Sequence, residues 1–130
     1  MAYNDFFGDI NNCLGVAPMG VMKHTVAGAG AGDPVVIYAV GAIQVSVTFF
    51  DALVIPTATV GGGAFTVETN IAGGGYNPLS DAITCATIGV PDRAATWAAA
   101  QAVVGPADAV QINKAAAANE GIVYLSFFLT

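Results

Sequence analysis

The stretch VVIYAVGAIQVSVTFFDALVI, from Val35 to Ile55, constrains this chain most. It is long enough to cross a bilayer as one helix, and Asp51 is its only formal charge. Its internal period points elsewhere. From Ile43 to Phe49, the apolar Ile43, Val45, Val47 and Phe49 alternate with Gln44, Ser46 and Thr48. Period two predicts a strand with one face in a core and the other polar. On a helix the three polar residues would scatter around the cylinder instead of forming a stripe. The β-branched content suits a strand as well. Gly41 separates this run from a second apolar run, Val35–Val40, behind Pro34, and Pro56 closes the far end. The expectation is short strands in succession, not a membrane helix.

The rest of the chain follows the same grammar. AGAGAGDP, residues 27–34, predicts a loop; it precedes a proline and a strand, whereas a dinucleotide fingerprint follows a strand and opens a helix. After Gly61–Gly63, Phe65, Val67 and Thr69 interleave with Thr66, Glu68 and Asn70, which predicts another strand. GGGYNP is a loop, and LSDAITCATIG a small-residue strand with Ile83, Cys85 and Thr87 on one face. The segment from Asp92 to Val104 is ambiguous. Its alanines favour helix and Asp92 suits an N-cap, yet a strand through Thr96–Ala98 anchored by Trp97 also fits. Val110 and Ile112 alternate with Gln111 and Asn113; a turn and the run Ile122–Leu129 follow, together reading as a hairpin with a longer loop. The last run is apolar on both faces, so it belongs in the middle of a sheet or against another subunit.

Seven or eight short strands between glycine-rich turns predict an all-β, single-domain β-sandwich of jelly-roll type, with at most one short helix. The sandwich is expected over residues 19–130. Residues 1–18 are expected to form an N-terminal arm in which one amphipathic turn of helix, capped by Asn4, places Phe6, Ile10 and Cys13 on one side.

Composition bounds the partners. Charged residues make up 9% of the chain and hydrophobic ones 55%, too few charges to coat a monomer of ordinary kind. Either lipid or other protein subunits are expected to cover part of the surface, and with the strand reading above the expectation is a homo-oligomer, a homotrimer first. Three basic residues, Lys23, Arg93 and Lys114, against nine acids argue against nucleic acid. The start of the chain lacks the basic n-region of a signal peptide. Cys13 and Cys85 make no CxxC motif; two reduced thiols are expected, with Cys85 buried.

Catalytic chemistry is sparse. His24 is the single histidine, so no histidine cluster can bind metal, and no ligand spacing supports a mixed site with Cys13 and a carboxylate. There is no GxSxG and no distinctive carboxylate pair. No enzyme, metal or cofactor is expected. Tyr76 and Trp97 are the only aromatic platform for a small-ligand or sugar site, and Trp97 reads first as packing.

From Val35 onward the chain resembles small virion structural proteins of tailed bacteriophages, which are rich in Ala, Gly, Val and Thr and poor in charge. The likeness lies in an early apolar strand pair, VVIYAVGAIQVSVTFF, then GGGAFTVETN, then AATWAAA, then DAVQINKAAAANEGIVYLSFFL. The chain departs from that group in ending FFLT, without a basic or proline-containing tail. The resemblance implies a capsid decoration or cement protein, made in the host cytoplasm and carried on the capsid surface. Its partners would be the major capsid protein and its own copies, with neither nucleic acid nor membrane. Phe6, Phe7 and Ile10 are then the candidates for docking on the shell, and Tyr124, Phe127 and Phe128 for the subunit interface. Another self-assembling virion subunit, of head fibre, tail or shell, is the alternative, followed by a small-ligand-binding sandwich.

Overall fold

The computed structural model describes residues 19–28, 34–58 and 63–129. The arm, with Phe6, Phe7 and Ile10, lies outside them, as do Cys13 and most of the AGAGAGDP loop. The described residues form ten strands: β1 (Met19–Val26), β2 (Val35–Tyr38), β3 (Val47–Ala58), β4 (Ala64–Asn70), β5 (Tyr76–Pro78), β6 (Ile83–Thr84), β7 (Asp92–Arg93), β8 (Val103–Val104), β9 (Ala109–Lys114) and β10 (Glu120–Leu129). One turn of 3-10 helix, Ala99–Gln101, precedes β8.

Two antiparallel sheets result. Sheet I has the order β1-β10-β3, and β7 and β8 share the far side of β3, β7 at Leu53 and Val54 and β8 at Val47 and Thr48. Sheet II has the order β2-β9-β4, and β5 and β6 share the far side of β4 in the same way. The first four strands alternate between the sheets, and so do β9 and β10. That is the double Greek-key path of a jelly roll. Between the sheets Phe49, Val54 and Leu125 of sheet I meet Phe65, Val67 and Ile112 of sheet II, all fully buried.

The strand reading of Val35–Ile55 holds, and among the described residues no helix is long and apolar enough to cross a membrane. Several details differ from expectation. Val45 is 59% exposed and β3 begins only at Val47, although Ile43, Val47 and Phe49 do point inward. Residues 39–46 form the corner between the sheets, with Gly41 at φ +87° and its N–H bonded to the Pro106 carbonyl, so the alternation there is not that of a strand. Pro56 does not end the strand; β3 continues to Ala58. Pro56 faces Gly121 beside a register shift, a bulge position where a missing N–H is tolerated. The early apolar runs, β2 and β3, are not a pair: they lie in opposite sheets.

Nor are β9 and β10 a hairpin. The turn after Lys114 carries the chain across the sandwich, from sheet II to the centre of sheet I. The central placement expected of β10 is what the structure has: β1 flanks it on one side and β3 on the other. Of the small-residue strand Ile83 and Thr84 form β6 and Ser80 makes an isolated bridge to Trp97; Ile83 and Cys85 are buried but Thr87 is exposed. Asp92 caps no helix, because it pairs with Val54 as part of β7. The strand over Ala64–Asn70 matches its alternation throughout, with Phe65, Val67 and Thr69 fully buried.

Candidate functional site

The two sheets turn very different faces outward. Because strand residues alternate between faces, the buried residues fix which neighbours point out. On sheet I the outward residues are Met19, Val21, Lys23 and Thr25 of β1, Ile122, Tyr124, Ser126 and Phe128 of β10, and Leu53 and Ile55 of β3. A bulge in β3 adds to them. Ser126 pairs with Asp51 and Phe127 with Phe49, leaving Phe50 as the extra residue. The bulge turns both Phe50 and Asp51 outward. Phe50 is 45% exposed and stacks on Phe128, with ring centroids 5.8 Å apart and planes 28° apart. Asp51 sits beside this pair and bonds Arg93 Nε at 3.0 Å. The result is an apolar, aromatic face with a single ion pair and Lys23 at its margin.

Sheet II turns out mainly polar groups: Thr66, Glu68 and Asn70 from β4, Gln111 and Asn113 from β9. Three of them are bonded together. Gln111 Nε2 donates to Glu68 Oε1 at 2.6 Å, and Asn113 Nδ2 to Glu68 Oε2 at 3.4 Å. The exceptions are Val36, 52% exposed on β2, and Tyr76 and Pro78 of β5, which pair with Asn70 and Glu68.

The interface candidates of the last strand divide between faces. Tyr124 and Phe128 lie on the outward face of sheet I. Phe127 turns inward, edge-on to Phe49 with centroids 6.5 Å apart, and its ring lies over Gly20, where a Cβ would come within 2.7 Å of it. A side chain at residue 20 would displace that ring. Phe50, which the sequence reading did not single out, is the residue that completes the aromatic cluster. Its signal is a change of phase: inward positions run Val47, Phe49, then Ala52, Val54.

The other chemistry-bearing groups are bound into the structure. His24 Nε2 and the Tyr38 hydroxyl are hydrogen-bonded across the gap between β1 and β2, with the rings edge-on at 4.5 Å. Burial lowers the pKa of His24 and raises that of Tyr38. Cys85 is buried and free, its thiol pushed up to about 11 by desolvation and then by the nearby Asp92 carboxylate. A thiol held neutral in this way is a poor nucleophile. Among the described residues no three His, Cys, Asp or Glu side chains are grouped to hold a metal ion. Tyr76 lies on the outward face of sheet II beside Asn70, while Trp97 packs against the core and donates to the Phe49 carbonyl. The two do not form a common platform.

The chain is therefore an all-β, two-sheet domain whose most distinctive surface is one apolar sheet face. Comparison with protein-family models, curated proteins and solved structures gives no match.

Proposed function

We propose that this protein is a virion structural protein of the capsid decoration or cement kind, which binds a phage head by the outward face of sheet I and presents the polar face of sheet II to solvent. The observation that carries the reading is the contrast between those faces. An aromatic patch of Phe50, Tyr124 and Phe128 on a sheet is costly to leave in water, and exposed apolar patches mark contact surfaces. Burying such a face gains roughly 25 cal/mol per Å² of apolar surface, repeated at every copy on the shell. The proposed role is structural and asks for no catalytic group; among the described residues Cys85 is buried and His24 is bonded to Tyr38.

A particle-integrity assay tests this. Capsids carrying the protein should withstand heat or osmotic stress that ruptures bare capsids, and adding the protein back should restore resistance. The rescue should survive moderate salt, because screening weakens exposed charge pairs far more than apolar contact. Equal stability of the two particles, with the protein located elsewhere in the virion or absent from it, would favour a tail, fibre or unrelated role instead.

A further inference from the structure

A sheet edge presents unpaired N–H and C=O groups, and β proteins guard such edges with short strands, bulges, prolines or charges. Three of the four edge positions here are guarded. The far edge of sheet I consists of β7 and β8, each two residues long. The far edge of sheet II consists of β5 and β6, three and two residues long, with Pro78 in β5. The other edge of sheet II, β2, has four residues and a register shift between Val36 and Tyr38.

The fourth edge, β1, is built differently. Its eight residues, MGVMKHTV, pair with β10 from Met19–Phe128 to Val26–Gly121 without a register shift. The strand contains no proline and no acid, and no strand lies on its other side among the described residues. Lys23 is its only formal charge. Two of its outward residues are strongly exposed hydrophobics, Met19 at 51% and Val21 at 61%.

We propose that β1 pairs antiparallel with β1 of a second copy about a two-fold axis at Met22, joining two copies of sheet I into one continuous sheet. The proposal stands on this edge alone and holds whatever surface the protein binds. Strand pairing must match residues of the same face, or every outward side chain would invert. Centring on Met22 does so over Met19–Thr25, setting Met19 against Thr25, Gly20 against His24 and Val21 against Lys23 of the second copy. Lys23 then never opposes itself. Its aliphatic stem covers Val21, while its ammonium group stays at the surface. A pairing centred on Lys23 would instead set like charges face to face. The strand is thus its own complement, as a two-fold interface requires. The joined sheet would also bring the two apolar outward faces together into one broad surface.

Light scattering on a size-exclusion column tests the pairing with the full chain, whose mass is 13.0 kDa. The wild type should run at twice that mass at micromolar concentration. Val21→Lys sets lysine against lysine twice in each dimer; it should run at the monomer mass, with an unchanged far-UV circular dichroism spectrum because Val21 points to solvent. Adding Lys23→Glu to that variant places opposite charges across the axis and should restore the dimer. A monomeric wild type overturns the proposal. So does a dimer or trimer whose mass Val21→Lys leaves unchanged, and so does a failure of the double variant to reassociate.

Discussion

The indole Nε1 of Trp97 donates a 2.7 Å hydrogen bond to the main-chain carbonyl of Phe49, while the Phe49 N–H donates to the Ala102 carbonyl at 3.0 Å. Both polar groups of one β3 residue are thereby held by residues 97–102, which lie in the gap between the two short strands β7 and β8. The same segment is tied down from its other side, where Ala98 N–H donates to the Leu79 carbonyl at 2.7 Å and Asp81 Oδ1 accepts from the N–H groups of Ala95 and Thr96. Trp97→Phe keeps most of the packing but strips the carbonyl of its partner. A loss of about 1–2 kcal/mol in unfolding free energy is expected from urea titration; an unchanged midpoint would contradict the role given to this bond.

Gly121 is needed for close approach of β10 to β3. A Cβ at that position would meet the Ile55 carbonyl oxygen at 2.8 Å and Pro56 Cα at 3.2 Å. Both are backbone atoms of a central strand and have little room to move. Gly121→Ala should therefore destabilise the fold by about 1–3 kcal/mol, the usual cost of overpacking, and lower the thermal midpoint accordingly.

Lys114 is almost fully buried at the end of β9, and its ammonium group donates to the carbonyls of Ala27 at 2.8 Å and Ala117 at 2.7 Å. It ties the segment leaving β1 to the turn that crosses from sheet II to sheet I. Lys114→Met retains the stem but removes the ammonium group and with it these two bonds. Stability should fall by about 2–4 kcal/mol in chemical denaturation, and amide exchange should rise first in the residues 115–119 turn.

His24 makes stability depend on pH. Burial holds its folded pKa below the unfolded value of 6.5. The neutral ring's contribution is therefore present above that value and is lost as pH falls through the folded pKa, since the unfolded chain takes up the proton first. The urea midpoint should drop between about pH 7.5 and pH 5.5, and His24→Gln should flatten the change. Equal slopes for the two proteins would remove His24 as the cause.

How far these features can be read from residues depends on what each segment's neighbours are. β4 is legible because Phe65, Val67 and Thr69 alternate cleanly with polar residues and no glycine or proline interrupts them. β10 is legible as a central strand because a strand apolar on both faces needs cover. β1 is not legible: its inward residues are Gly20, Met22, His24 and Val26, and the small Gly20 is covered by Phe127 from a strand about a hundred residues away in sequence. The β9–β10 turn looks like a hairpin because local sequence does not record whether a turn stays within a sheet or crosses between two. The apolar face depends on a one-residue bulge at Phe50, which a strict alternation misses, so Tyr124 and Phe128 are visible in the last strand while their aromatic neighbour is not.

In the proposed role the outward face of sheet I docks on the capsid and that of sheet II does not. Co-sedimentation with bare capsids separates the two faces when Phe50→Glu on sheet I is compared with Thr66→Glu on sheet II. Both side chains lie on the outward faces, so both variants should keep the wild-type circular dichroism spectrum. Binding should be lost in Phe50→Glu and kept in Thr66→Glu; the reverse pattern, or equal binding by both, would contradict the claim.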